Sequence, residues 1–514
     1  TCSAGLELPD GSAPAPQAAS NVHTNHNHPI DFTTSTLTAD RKRHPTHPAD
    51  NSNARGVLSI ATCQPMQPAR RIGLATSRLP RLNACRTDPS DKESTLLLDL
   101  DPKQKARYAE AARLSAYWFL RSQNTPQQPW GGVHNSADEG RFIYEYYPVS
   151  GYCRGMGVWG QAVGILSLLA LRDSGLRMSI EGTSVERACL SGALLAARYL
   201  MSLQILDGRD QRKFGAFREH TPQSSFSFPR DAATGCFGLL ALHRLTHRQE
   251  YLEPVRLFCN WYRRYGSDER GWPVVTFPFQ TCQPRDQHHC GIWQAGGGLV
   301  YYYLAELTGE KRWLEEGLQP IAERALEMFD RQAELADGGE MAAAHGLHGN
   351  DDFATLTMLA AYRSLGDQKY LQRFGRNINT LLANQHPDGS FRNYAGCFVA
   401  GLTMLDALQL GSQLPDFVDR SAVADALRRL ADFGLTNQEL HNRDRRAYGG
   451  MYGQSPYHAG KERIHQRSTG YASVLYSRLV ADKPLPYFSA LNWTMTPEPL
   501  EIAPPGSGEQ PWTI

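Results

Sequence analysis

The sequence predicts an all-α protein: a single (α/α)6 barrel, or toroid, of six helical hairpins, preceded by an irregular segment. Two observations predict this fold. Between residues 101 and 483, long helical segments with one charged face alternate with shorter, nearly uncharged ones. A polar turn that opens on glutamine also recurs behind most of the long segments, and internal repetition of this kind is typical of a ring of similar units.

The long segments are the predicted outer helices of the hairpins. They carry apolar residues at i, i+3 and i+4 spacing with charged residues on the opposite face, which is the pattern of a half-buried helix. Their predicted bounds are 101–123, 184–204, 249–266, 311–333, 368–385 and 416–438.

The alternating segments are the predicted inner helices. They are rich in Gly, Ala and Leu, and almost no charged residue stands in their first two turns. A helix that is apolar nearly all round is buried, and in a barrel its place is the inner ring. Their predicted bounds are 156–174, 233–248, 295–309, 352–366, 397–411 and 467–482.

The turn behind the outer helices repeats in its chemistry. The third hairpin has Gly271 and Trp272 without a glutamine, whereas the other five outer helices end in Gln123, Gln204, Gln332, Gln385 and Gln438. The last three glutamines are 53 residues apart. Glycine, often beside an aromatic residue, follows each of them: Gly131 and Gly132 after Trp130, Gly215 after Phe214, Gly338 and Gly339, Gly389 before Phe391, and Gly449 and Gly450 after Tyr448.

Composition and charge exclude some classes of protein. The formal net charge of +1 over 514 residues argues against a nucleic-acid-binding protein, which normally has a basic excess. No apolar run reaches the roughly 18 residues that a membrane-spanning helix needs. The longest run, 158–171, is interrupted by Gly160, Gln161 and Gly164. Hydrophobic residues make up 41% of the chain, which is ample for a large core.

Residues 1–95 differ from the rest of the chain. They hold Ala-Pro, Asn-His and Thr-Ser clusters and show no sustained period of 2 or 3.6. We therefore expect an irregular or disordered segment over 1–95, a toroid catalytic domain over 96–485 and a C-terminal extension over 486–514. Five histidines between residues 23 and 47 favour a solvated tail over a metal site.

Cysteine usage favours a reducing compartment. Most of the ten cysteines stand alone inside helical stretches, which is typical of buried thiols and favours a cytoplasmic location. Cys282 and Cys290 share one loop, and their pairing stays open. No Cys-x-x-Cys occurs, so we predict neither a metal nor a cofactor.

The turn over residues 381–391, LLANQHPDGSF, resembles the Gln-Asp-Gly-aromatic turn of α/α toroids. Similar turns occur in terpenoid cyclases, prenyltransferases, several polysaccharide lyases and glucuronyl C5-epimerases. The resemblance extends over most of residues 101–483 and implies the toroid fold. It does not choose a reaction, because one fold hosts many chemistries.

The long polar loops that lead from each outer helix to the next inner helix are the expected location of a site. In a barrel of this kind they gather at one mouth, whereas the return turns are short. The densest stretch is 345–352, which has two histidines and the adjacent carboxylates Asp351 and Asp352 in a glycine-rich loop. An N-cap role would also explain Asp231 and one of that adjacent pair.

The sixth loop, 439–467, suits an anionic ligand. It has six arginine or lysine residues against three acidic ones, together with tyrosines and histidines. Arginine binds carboxylates bidentately, and tyrosine rings stack on sugar faces. With the aromatic first loop and the inner-helix starts, this predicts as substrate-binding residues Trp130, Glu145, Tyr147, Arg154, Arg230, Asp231, Gln294, Tyr457 and Arg463.

The leading hypothesis is an enzyme that acts on a uronate-containing polysaccharide or oligosaccharide by β-elimination or C5 epimerisation. Both reactions need a group that neutralises the carboxylate, a base for the C5 proton and an acid. Tyr471 is one tyrosine near an inner-helix start that suits proton transfer. The predicted catalytic residues are His348, Asn350, Asp351, Asp352, Tyr394, His465 and Arg467.

Other functions stay open, as does the oligomeric state. A glycoside hydrolase needs a carboxylate pair, and Asp351 or Asp352 with Glu145 or Asp231 would serve. A terpene-cyclase-like toroid would use an Asp-x-Asp-Asp motif, whose first Asp is missing from residues 349–352. A zinc toroid of the lanthipeptide-cyclase kind would need a Cys-His-Gly signature that is absent. A non-enzymatic binding toroid is the remaining alternative.

Overall fold

The computed structural model describes residues 98–130, 136–155, 157–285, 291–335, 353–391, 397–453 and 461–493, with the backbone alone over 331–335. Within these residues, twelve α-helices alternate between two rings. The outer helices are α1 (Pro102–Ser122), α3 (Val185–Ser202), α5 (Gln249–Arg264), α7 (Gln319–Leu335), α9 (Gln368–Asn384) and α11 (Arg420–Asn437). The inner helices are α2 (Val158–Asp173), α4 (Pro229–Thr246), α6 (Leu299–Thr308), α8 (Phe353–Leu365), α10 (Cys397–Gln409) and α12 (Gln466–Val480).

The inner helices form a closed ring. Each contacts the next along the chain, and α12 packs back against α2. Every side chain of α2 from Val158 to Leu171 is buried, as expected of a helix enclosed on all sides. The predicted all-α (α/α)6 barrel is therefore confirmed. Of the helices that the structure describes, none has both the length and the apolar character that crossing a bilayer requires.

Some helix bounds differ from prediction where local chain chemistry sets them. Helix α4 begins at Pro229 rather than at 233, because proline at N1 lacks only an N–H that no helical carbonyl would accept. The glycine-rich stretch Ile292–Gly298 forms a 3-10 turn, so α6 begins only at Leu299. A π-helical turn, Leu314–Leu318, precedes α7.

The glutamine at the end of an outer helix ties that helix to the next outer helix. Its side-chain amide donates to a glycine carbonyl in its own turn and to a carbonyl of the neighbouring helix, at 2.7–3.1 Å. The pairs of acceptors are Gly140 and Gly192 for Gln123, Gly215 and Pro254 for Gln204, Gly389 and Ala426 for Gln385, and Gly449 and Ala111 for Gln438.

Two members of the predicted repeat need correction. In the first hairpin the glycine that accepts from Gln123 is Gly140, whereas Gly131 and Gly132 lie outside the described residues. Gln332 does not end its helix, since α7 continues to Leu335. The helix continues because residues 321–335 contain neither glycine nor proline.

Seven short strands complete the described elements. They are β1 (Glu145–Tyr147), β2 (Tyr152–Arg154), β3 (Ser179–Ile180), β4 (Thr183–Ser184), β5 (Phe226–Ser227), β6 (Phe277–Pro278) and β7 (Ile464–His465). Strand β1 pairs antiparallel with both β2 and β7, which joins the first loop to the sixth. Strands β5 and β6 join the second loop to the third in the same way. The loops thus meet at the end of the barrel where the inner helices begin.

The chain after α12 turns into the barrel. Phe488 packs against Phe237 of α4, Phe353 of α8 and Tyr471 of α12, with ring centroids 5.2–6.4 Å apart. Contact with three alternate inner helices places Phe488 near the barrel axis. The first residues of the expected C-terminal extension therefore lie inside the barrel.

A buried ion pair anchors this segment. Arg478 of α12 pairs with Asp406 of α10 at 2.5 Å, and both side chains are almost fully buried. Asp406 also accepts hydrogen bonds from the Ser489 hydroxyl at 2.9 Å and from the Ala490 N–H at 2.8 Å. The carboxylate thus has the partners that a buried charge requires.

Candidate active site

Aromatic and arginine side chains from four inner helices form the floor of the mouth: Trp159 (α2), Arg230 (α4), Phe353 (α8), and Arg467 and Tyr471 (α12). The guanidinium carbons of Arg467 and Arg230 lie 4.3 and 5.3 Å from the centroid of the Trp159 ring. Arg230 also lies 5.7 Å from the Phe353 ring. The Trp159 indole N–H donates to the Tyr471 hydroxyl at 3.0 Å. Two cations therefore share one aromatic ring where the inner helices begin.

The glycine-rich turn before α6 makes room for Arg230, which is only 2% exposed. A Cβ on Gly296 would lie 3.3 Å from Arg230 Nη2, and one on Gly297 would lie 2.1 Å from the Tyr262 hydroxyl. Arg230 Nη1 lies 3.2 Å from Asp231 Oδ1, so the buried cation has a counter-ion on its own helix. The predicted Gln294 is fully buried in the same turn.

A second group of polar side chains, the Glu145 cluster, forms where β1 pairs with β2 and β7. Glu145 stands opposite Arg154 on one side and His465 on the other. Its Oε1 lies 2.6 Å from Arg463 Nη1 and 3.4 Å from His465 Nε2. Its Oε2 lies 3.5 Å from Arg154 Nη1 and accepts a hydrogen bond from the Tyr147 hydroxyl at 3.2 Å. The structure thus brings together five residues that the sequence places in two distant loops.

Charge in the Glu145 cluster resides on the carboxylate and the arginines. Burial favours the neutral form of Glu145, but the hydrogen bond from His465 and the charges around it outweigh burial and lower its pKa to about 2. Burial lowers the pKa of His465 to about 4, against the opposing effect of Glu145. The imidazole is therefore neutral near neutral pH, and Arg463 is the main counter-charge of Glu145.

Both ring nitrogens of His465 are engaged. Nδ1 accepts the backbone N–H of Arg467 at 3.1 Å, so His465 is the N-cap of α12. Nε2 faces Glu145, which assigns the ring proton to that nitrogen. This geometry suits a residue that holds Arg467 and the start of α12 in place.

Glu219 is a carboxyl group near the mouth that the sequence analysis missed. It is fully buried, and its Oε2 accepts the N–H of Phe228, the N-cap of α4, at 3.2 Å. No described residue donates to or accepts from its Oε1. Burial, and then the charge of Asp231, raise the pKa of Glu219 well above its ordinary value. Its only signal in the sequence is a charged triplet, Arg218 to His220, directly before a short strand.

The remaining predicted residues fall into two sets. Trp130 donates its indole N–H to the Ser122 carbonyl at 2.8 Å and lies under the Arg141 guanidinium, so its described contacts are with the first hairpin. The predicted residues that lie outside the described residues are His348, Asn350, Asp351, Asp352, Tyr394 and Tyr457. Within the described part of the chain, no three His, Cys, Asp or Glu side chains form a group suited to a metal ion.

No protein-family model and no curated protein sequence matches the chain, but solved structures do. One is a family 76 glycoside hydrolase from a bovine Bacteroides thetaiotaomicron strain, with a TM-score of 0.50, 12% identity, and coverage of 73% of this chain and 77% of that one. Another is a family 76 α-mannanase from Bacteroides thetaiotaomicron, with a TM-score of 0.50, 12% identity and coverage of 73% and 95%.

Cellobiose 2-epimerase from Bacillus thermoamylovorans is also similar, with a TM-score of 0.45, 12% identity, and coverage of 71% of this chain and 98% of that one. Identities this low carry information about the fold and not about the reaction. By its fold, the chain is an (α/α)6 toroid.

Proposed function

We propose that the protein is a carbohydrate-active enzyme that binds an anionic, uronate-containing polysaccharide or oligosaccharide in the mouth and acts on it by β-elimination or C5 epimerisation. The observation that carries the proposal is the pair of guanidinium groups of Arg467 and Arg230, 4.3 and 5.3 Å from the ring centroid of Trp159. An aromatic ring supports a sugar face, and a guanidinium binds a carboxylate bidentately. A uronate presents both features on one ring.

Arg467 is assigned the neutralising role. Both reactions begin with loss of the C5 proton, and negative charge then builds on the adjacent carboxylate, where a guanidinium stabilises it. Arg467 is partly exposed, whereas Arg230 is 2% exposed and paired with Asp231. Arg230 is therefore assigned to holding Trp159 and Asp231 in position.

Proton transfer is assigned to Tyr471 together with the predicted His348 and Tyr394. The Tyr471 hydroxyl accepts the indole N–H of Trp159 at 3.0 Å, and such a bond favours the phenolate. His465 is assigned a positioning role, because its two ring nitrogens bind the Arg467 N–H and face Glu145. His348 and Tyr394 belong to the long loops that lead to inner helices.

A glycoside hydrolase is the second candidate. Glu219 and Asp231 supply two carboxyl groups at the start of α4, and the charge of Asp231 acts on Glu219. Hydrolysis of a glycosidic bond uses one protonated and one ionised carboxyl group. The two family 76 structures with the same fold, one of them an α-mannanase, support this candidate too.

One assay separates these reactions. The full-length chain is incubated with uronate-containing oligosaccharides, and with neutral mannooligosaccharides as the matched neutral set. Elimination produces an ultraviolet-absorbing C4–C5 double bond, epimerisation in deuterium oxide puts deuterium at C5, and hydrolysis produces reducing ends without either signal. We expect unsaturated or deuterated uronates, and turnover of neutral glycans alone would refute the anionic substrate.

The arginine assignment has its own test. Arg467→Gln removes the guanidinium, and we expect kcat/KM on uronates to fall about 100-fold, as for loss of one electrostatic stabiliser. Arg428→Gln removes a guanidinium from a surface pair with Asp425 on an outer helix and is the control. Equal kcat/KM values for the two variants would exclude Arg467 from substrate binding.

A further inference from the structure

We propose that Glu219 and Asp231 share one proton, which the buried Glu219 holds and passes to Asp231 for delivery in the mouth. Glu219 is a positioning residue in this scheme, since it acts through Asp231. The delivery step rests on the proposed function, which makes the mouth the active site. The proton sharing does not, and it applies equally to elimination, epimerisation and hydrolysis, because all three need an acid.

The backbone of the second loop fixes Glu219 between two inner helices. Its N–H donates to the Phe226 carbonyl at 3.1 Å, and its own carbonyl accepts the N–H of Val158, the first residue of α2, at 2.9 Å. A Cβ on Gly157 would lie 2.0 Å from that carbonyl, so the glycine permits the close approach. The position of the Glu219 side chain is therefore set by rigid neighbours.

The helix start brings the two carboxyl groups to one place. Asp231 is the third residue of α4 after its N-cap Phe228. An acidic side chain at this position commonly reaches back to the N–H of the N-cap residue. In this protein Glu219 Oε2 accepts that N–H at 3.2 Å, so the two carboxyl groups approach the same turn.

The environments of the two groups differ in the way that proton sharing needs. Glu219 is fully buried, whereas the Asp231 side chain is 15% exposed and lies 3.2 Å from Arg230. Burial and the Asp231 charge raise the pKa of Glu219, and the Phe228 N–H opposes them without prevailing. Glu219 therefore carries the proton at neutral pH, and the arginine keeps Asp231 ionised.

The other titratable neighbour contributes no charge. His220 follows Glu219 in the loop, and burial, with Arg141 and Arg154 of the first loop, lowers the pKa of His220 to about 4. Its ring is neutral over the pH range in which Glu219 would titrate. Val158, which begins the adjacent helix α2, carries no charge. Among the described residues, Asp231 is thus the charge that acts on Glu219.

The proton transfer balances without a further reactant. The O–H bond of protonated Asp231 breaks as the acceptor atom of the substrate gains the proton. The O–H bond of Glu219 then breaks, a new O–H bond forms on Asp231, and Glu219 becomes a carboxylate. After product release, water returns a proton to Glu219.

Glu219→Gln distinguishes this role from simple helix capping. The glutamine oxygen accepts the Phe228 N–H equally well, but the amide neither gains nor loses a proton. A carboxyl group whose pKa is raised on folding stabilises the protein fully only below its ordinary pKa, and that stabilisation is lost as pH rises. The unfolding constant of the wild type, relative to Glu219→Gln, should therefore rise by up to about tenfold per pH unit above the ordinary carboxyl pKa.

The measurement is chemical denaturation of the full-length chain between about pH 5 and pH 8. Asp231→Asn should lower the pKa of Glu219, so that the ratio begins to rise at a higher fraction of ionised Glu219 and falls at every pH. Asp207→Asn, which changes an exposed carboxylate of the same loop, should leave the ratio as in the wild type. A ratio that is independent of pH, or unchanged by Asp231→Asn, overturns the shared proton.

Turnover tests the delivery step. Glu219→Gln should reduce kcat on the identified substrate by about 100-fold and remove the basic limb of the pH profile. Wild-type kcat in this variant would overturn delivery. If the unfolding ratio depends on pH as expected but the wild type turns over no uronate, the shared proton stands and the proposed substrate fails.

Discussion

Glu145 joins two loops through a single carboxylate. Arg463 and His465 come from the sixth loop, while Arg154 and Tyr147 come from the first hairpin of strands. The Glu145 side chain is 3% exposed and that of Arg463 is 12% exposed, so removal of one charge leaves the other largely away from water. Breaking a buried pair in this way is strongly destabilising.

Glu145→Gln should lower the free energy of unfolding by about 3 kcal/mol near neutral pH, the equivalent of lowering the pKa from 4.5 to about 2. A carboxylate with a lowered folded-state pKa stabilises the protein above its ordinary pKa and ceases to do so as pH falls. The difference between wild type and variant should therefore shrink as pH falls from 4.5 towards 2. Denaturation curves across that range measure it.

Glu110→Gln is the control for this prediction, because Glu110 forms an exposed pair with Arg113 on α1. Surface pairs of this type contribute little, so this variant should stay within about 0.5 kcal/mol of the wild type. A Glu145→Gln variant as stable as Glu110→Gln would contradict a stabilising Glu145 cluster.

Residue chemistry in the sequence predicted much of the site but not its buried acid. Glu145, Arg154, Arg463 and His465 were predicted because charged and aromatic residues cluster in two loops. Glu219 was missed, because a single carboxylate in a polar loop has the same sequence signature whether it is solvated or buried. Its burial depends on Gly157 and the start of α4, which no local pattern reveals.

At the scale of elements, the glutamine turns explain how hairpins of modest similarity form one ring. Each turn packs on the backbone of the next outer helix, and a glycine with positive φ makes the contact possible. At Gly449 the φ is +85°, and an added Cβ would lie 2.3 Å from the Leu114 carbonyl of α1. The turn after α11 therefore closes the outer ring onto α1.

Gly449→Ala should destabilise the fold more than glycine replacement in a return turn. Gly366 has a φ of +76° with nothing within 4 Å of an added Cβ, so Gly366→Ala should cost only the about 1–2 kcal/mol of the left-handed backbone. Gly449→Ala adds a clash with a backbone carbonyl, which should cost about 2 kcal/mol more. Denaturation of both variants compares them, and equal losses would show that the turn does not pack tightly on α1.

At the scale of the whole molecule, the segment after α12 supports the mouth from below. Phe488 contacts Phe353 and Tyr471, and both belong to the floor of the mouth. The Asp406–Arg478 pair holds the same segment inside the ring. The core and the candidate site are therefore continuous along the barrel axis.

Phe488→Ala should lower the free energy of unfolding by about 3–5 kcal/mol, as for other buried aromatic truncations. Because the cavity lies under Phe353 and Tyr471, the variant should also lose turnover while still folded. Phe417→Ala, at a phenylalanine that is 47% exposed, is the matched control and should change stability by less than about 1 kcal/mol. A Phe488→Ala variant with wild-type stability would refute the packing of this segment in the core.

Local patterning was sufficient for the alternation of outer and inner helices, because amphipathic and uniformly apolar segments differ within a few turns of chain. It was also sufficient for the ring, because the glutamine turns repeat. Tertiary structure alone decided which side chains meet: Arg467 and Arg230 on Trp159, Glu145 with Arg463, and Glu219 beside Asp231. These partners lie on different hairpins or on opposite sides of a loop, and only closure of the ring brings them within hydrogen-bonding or stacking distance.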